Sequence, residues 1–95
     1  MAQATTEVQR RIDFLLKELT KAWQEIPEVE CVIDSWDLVR QIDYVEEWAP
    51  KEALLDELNQ YDADGLTSDK QRERYATLLS LISEYRPILE KLRSS

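Results

Sequence analysis

The chain predicts an all-α fold, a compact antiparallel helical bundle of about four helices. Three observations predict it. One glycine and three prolines in 95 residues leave too few turn residues for a sheet-rich chain. Apolar residues recur at spacings of three and four over most of the length. The one alternating segment, around Val29, Cys31 and Ile33, is interrupted by Val32 and has no second strand candidate to pair with.

The elements follow in order. Thr6 with Gln9 makes a capping box that opens a helix over residues 6–26. Its stripe is Val8, Ile12, Leu15, Leu16, Leu19, Trp23 and Ile26, with charged residues outside and Phe14 off the stripe. Pro27 stops this helix or starts the next element. Residues 28–33 read as a helical turn or a packed connector. A second helix is expected over 35–48, with Asp34 as N-cap and Ile33 against Leu38 as a hydrophobic staple. Its residues Leu38, Val39, Ile42 and Val45 are expected to face the core.

Ala49-Pro50 ends that helix, and Pro50 suits the first turn of a third, over 50–61, with Leu54, Leu55, Leu58 and Tyr61 inward. Asp62 to Gly65 is a turn, with the glycine as a left-handed C-cap. Ser68 and Gln71 form a capping box for a fourth helix over 68–93. Its stripe from Tyr75 to Leu92 continues through Pro87, which predicts a kink or a break there. The long first and last helices are expected to form the antiparallel backbone of the core. One domain over 1–95 accounts for this length, with 1–5 and 94–95 frayed.

Composition excludes several classes. There is no histidine and a single cysteine, Cys31, so zinc, haem, iron–sulfur and intramolecular disulfide chemistry are not expected, nor any cofactor. The N-terminal segment lacks the apolar run of a signal peptide. No apolar stretch reaches the roughly 18–20 residues that cross a bilayer, so a soluble, cytoplasmic chain is expected.

Charge is distributed unevenly. Residues 28–64 hold twelve acids against two bases, Arg40 and Lys51, whereas 1–27 balance at four and four, and 65–95 hold four acids and six bases. Essentially all of the net −8 therefore sits in the middle third. Direct nucleic-acid or membrane binding needs clustered Lys and Arg and is not expected. A basic protein surface is the natural complement.

Candidate chemistry is sparse. The Asp62–Gly65 turn has the outline of a calcium loop, but with Gly65 at the sixth position the first ligand would be Gln60 and the closing one Gln71. A capped connection explains the turn better. The acids are too evenly strewn to nominate a catalytic pair, and no nucleophile or phosphate-loop motif is present, so no enzyme is expected. Arg40 is expected to pair locally with Asp37 or Asp43. Trp23 belongs to the core and Trp36 is expected against the first helix. Trp48 falls off the Leu38 stripe beside Asp37, Tyr44 and Glu47, as an interface anchor would, or as a cover for the Pro50 turn.

The sequence thus points to a small acidic protein–protein interaction module engaging a basic partner surface, with homodimerisation open. The expected partner-binding residues are Asp43, Glu46, Glu47, Trp48, Glu52, Asp56 and Glu57. Two alternatives stand beside it: an acidic inhibitor, antitoxin or nucleic-acid mimic that neutralises a basic enzyme, and a small metal-dependent enzyme using Mg²⁺ or Ca²⁺. The acid run could also serve solubility alone.

Overall fold

A computed structural model describes the backbone from Thr5 to Ser94 and side chains through Arg93. The described residues form helices joined by short turns, with no strand: α1 (Thr6–Gln24), α2 (Ile26–Val32), a 3₁₀ turn (Ile33–Ser35), α3 (Leu38–Glu46), α4 (Trp48–Ala63) and α5 (Asp69–Ser94). The fold class is the expected all-α bundle, but its architecture is three bent rods rather than four helices. α1 continues into α2, α3 continues into α4, and α5 is the third rod.

Proline chemistry sets the bends. A straight helix would need Pro27 to donate to the Trp23 carbonyl, and it has no N–H. The chain therefore turns at Glu25, whose N–H closes on the Lys21 carbonyl at 3.2 Å, and restarts with Pro27 in the first turn of α2. Residues 28–33 are thus helical for most of their length. Pro50 acts in the same way on Glu47, whose N–H reaches the Asp43 carbonyl at 3.0 Å before α4 begins at Trp48. Pro87 does not break α5. Ser83 and Pro87 both lie on its exposed side, where water can satisfy the freed carbonyl.

Caps differ from expectation by a residue or more. Thr5, not Thr6, caps α1 by accepting the Val8 N–H, and Gln9 reaches instead to the Leu66 carbonyl at 3.0 Å. The fraying expected of residues 1–4 and Ser95 lies outside the described residues. Asp37, not Asp34, caps α3 by accepting the Arg40 N–H at 2.9 Å. The Ser68–Gln71 box forms as expected, with reciprocal bonds of 2.9 and 3.2 Å. Gly65 takes φ +72°, the left-handed conformation in which only glycine avoids a steric penalty.

The core joins Ile12, Leu15, Leu16, Leu19, Trp23 and Ile26 to Trp48, Leu55 and Leu58 of α4 and to Leu78, Ile82 and Leu89 of α5. Cross-links fix the directions of the rods. The start of α5 sits by the start of α1, since Gln71 donates to the Gln9 carbonyl and to Asp13. The end of α4 also sits there, through Arg11 and Glu57, while its start meets Trp23 through Trp48. Consecutive rods are therefore antiparallel, but α1 and α5 run parallel, contrary to the expected antiparallel pair. Two fused helices remove one reversal of direction. The result is a slender molecule of 50 × 21 × 17 Å.

Candidate interaction surface

α3 is the exception to the packing scheme. It contains no buried residue, and its most apolar positions face solvent: Leu38 is 69%, Val39 68% and Ile42 46% exposed. These residues were expected in the core. The reason is a competition between two faces. Gln41, Tyr44 and Trp48 lie along one line of the helix, and Leu38, Ile42 and Val45 along another about a quarter-turn away. Both cannot point inward.

The aromatic line wins. Trp48 is 1% exposed and meets Trp23 edge-on at 5.0 Å. Tyr44 bridges outward, 6.3 Å from Trp48 and 5.9 Å from Trp36, so four rings lead from the core to the surface. Burial pushes the Tyr44 phenol above its usual pKa, and the charges of Glu25 and Glu47 add to that rise. The Trp48 indole N–H opposes the rise by more than either charge adds, yet it is buried without a hydrogen bond of good geometry. Trp36 packs on Tyr44 and Arg40. The Arg40 guanidinium lies 4.1 Å over its ring, which takes the place of the expected pairing with Asp37 or Asp43.

The expected partner-binding residues separate into three groups. Trp48 is in the core, where it presents no face to a partner. Glu57 and Glu52 are tied internally. Glu57 takes both oxygens to Arg11, at 2.7 and 2.8 Å, and that bidentate bond holds its carboxyl below the usual range. Glu52 pairs with Arg86 at 3.3 Å, although its buried Oε1 lacks hydrogen-bond geometry. Asp43 and Glu46 on α3, Glu47 at the bend after it and Asp56 on α4 remain exposed, with no cation partner among the described residues.

Glu46 joins a feature that sequence reasoning missed. Between α2 with its 3₁₀ turn, α3 and the end of α5 lies an open groove of about 420 Å³. Ile33, Leu38, Ile42, Val45 and Leu92 make its apolar floor, and Glu30, Asp34 and Glu46 stand on its α2–α3 side. Lys91 and Arg93 approach from α5. Gln41 fixes the walls, donating from Nε2 to the Ile33 carbonyl at 2.9 Å and the Trp36 carbonyl at 3.0 Å. The signal available in the sequence was the i, i+3, i+7 line of Gln41, Tyr44 and Trp48. It identifies a second inward-facing line and so leaves the Leu38 line outside.

A smaller groove of about 280 Å³ lies by Phe14, Leu19 and Leu54, flanked by Lys21 and Lys51 as well as Glu18 and Glu25. Among the described residues no group of three or more His, Cys, Asp or Glu side chains converges as a metal ion would require. No helix of the described residues is long and apolar enough to cross a membrane. No protein-family model, curated protein or solved structure matches the chain.

Proposed function

We propose that this protein is a small acidic interaction module that engages a basic protein surface through α3 and the segment before it. The observation that carries the reading is the solvent-facing apolar stripe of α3 set among unpaired acids. Exposed apolar surface of this kind costs solubility and finds its use in contact with a partner. The acids steer a basic partner and suppress wrong ones, and the apolar residues supply affinity once it arrives.

Within the acids of the middle third, Asp43 and Glu46 of α3 and Glu47 at its C-terminal bend are the ones assigned to this role, joined by Glu30 and Asp34 beside the groove. Glu52 and Glu57 hold the bundle together and leave the set. The test is affinity capture from the native cell at low and high salt. It compares the parent chain with a variant carrying Asp34→Asn, Asp43→Asn, Glu46→Gln and Glu47→Gln. The parent retains a partner at low salt, releases it at high salt, and the folded variant retains far less. Equal capture by both chains, or capture indifferent to salt, rejects the reading.

A further inference from the structure

We infer that the α2–α3–α5 groove takes an amphipathic helix of the partner, laid with its apolar side on Ile33, Leu38, Ile42 and Val45 and its basic edge toward Glu30, Asp34 and Glu46. This deepens the proposed function and rests on it. Geometry, rigidity and charge support this occupant.

α3 spans nine residues, about 13 Å of helix axis. That length matches an opposing helix whose anchors fall at i, i+3 or i+4, and i+7, the spacing used by helices docked in apolar grooves. The groove volume of about 420 Å³ lies in the range of sites that hold a few side chains. Its walls are already set. The two Gln41 bonds lock α3 to the 3₁₀ turn, and Trp36, Tyr44 and Trp48 anchor α3 along the neighbouring face, so docking orders little of this chain.

Charge selects the occupant. A second copy would bring two middle thirds, each with ten more acids than bases, face to face across a two-fold axis. The bases at the α5 end, Lys91 and Arg93, offset only part of this excess, and Arg93 already pairs with Glu90 at 3.6 Å. An extended basic segment would satisfy the acids and leave the apolar floor uncovered. A basic amphipathic helix satisfies both, and it favours this groove, where three acids stand against Lys91 and Arg93, over the second one, where Glu18 and Glu25 are matched by Lys21 and Lys51.

The experiment is calorimetric titration of the full chain with two synthetic peptides of about four helical turns. One has leucines at spacings of three and four with lysines elsewhere. The other is all lysine. The leucine–lysine helix is expected to bind one to one, about tenfold or more tighter than the all-lysine peptide. The variant Leu38→Ser/Ile42→Ser should lose about tenfold of that affinity, with circular dichroism unchanged. Glu46→Gln should lose less and blunt the salt dependence. Equal binding of both peptides, unaffected by the double variant, overturns the groove but leaves the basic-partner reading standing. Binding of neither overturns both. A parent chain that light scattering finds dimeric, and that the double variant makes monomeric, gives the groove to a second copy and overturns the inference.

Discussion

α1 and α3 carry the same kind of sequence pattern and meet opposite fates. Each is amphipathic, with aliphatic residues on one side and charges on the other. In α1 the stripe of Ile12, Leu15, Leu16 and Leu19 is at most 1% exposed, packed between α4 and α5. In α3 the stripe of Leu38 and Ile42 lies open. The difference comes from what shares the rod. α1 continues into α2 with its apolar line running on to Ile26, so one face serves the whole length. α3 continues into α4, whose core face begins at Trp48, and the α3 face in line with it holds Tyr44 and Gln41. The tryptophan buries more apolar area than Leu38 or Ile42 could, so it sets the rotation of the rod. Hydrophobic periodicity therefore identifies a helix without saying which of its faces is buried.

Breaking the winning face has the largest expected effect. Trp48→Ala removes the edge-on contact with Trp23 and the inner support of Tyr44, and it opens a cavity where α1, α3 and α4 meet. A loss of about 3–5 kcal/mol is expected, read as a lower urea midpoint at unchanged slope. For a chain of this size that is a large share of the total stability. An unchanged midpoint would mean that Trp48 does not orient the rod.

A smaller effect is expected at the closed end, where α1 is joined to α4. Glu57→Gln removes the charge that Arg11 holds with two bonds. The pair is partly open to solvent, at 41% and 32% side-chain exposure, so screening limits its worth. The pH dependence carries the signature. Arg11 lowers the Glu57 pKa in the folded chain, so the stabilisation is fully present above the carboxyl's unfolded value of about 4.3. It is lost as pH falls through the lower folded value. Parent and variant should therefore differ at neutral pH and converge in acid. A constant gap across that range would show that packing, not charge, makes the contribution.

Much of the fold was legible in the sequence because single residues dictated it. Gly65 must supply a left-handed cap, Ser68 and Gln71 bond reciprocally, and the α1 stripe admits one buried face. The helix count was not legible, because a proline early in a helix bends a rod without ending it, as at Pro27 and Pro50. Nor was the site fully legible. Glu52 and Glu57 looked like outward acids because their partners, Arg86 and Arg11, lie 34 and 46 residues away. Trp48 looked like a surface anchor because it was measured against the Leu38 stripe, which is itself the outer face. Asp43, Glu46 and Glu47 were read as surface acids because they lie off both apolar lines of α3.

The central claim is that the Leu38–Ile42 face belongs to the surface. Urea unfolding of Leu38→Ser/Ile42→Ser measures it against the core stripe of α1. The predicted loss is no more than about 1 kcal/mol, the sum of two small changes in helix propensity. A loss of about 3 kcal/mol or more, the size expected for emptying a buried aliphatic site, would place the α3 stripe in the core and contradict the account.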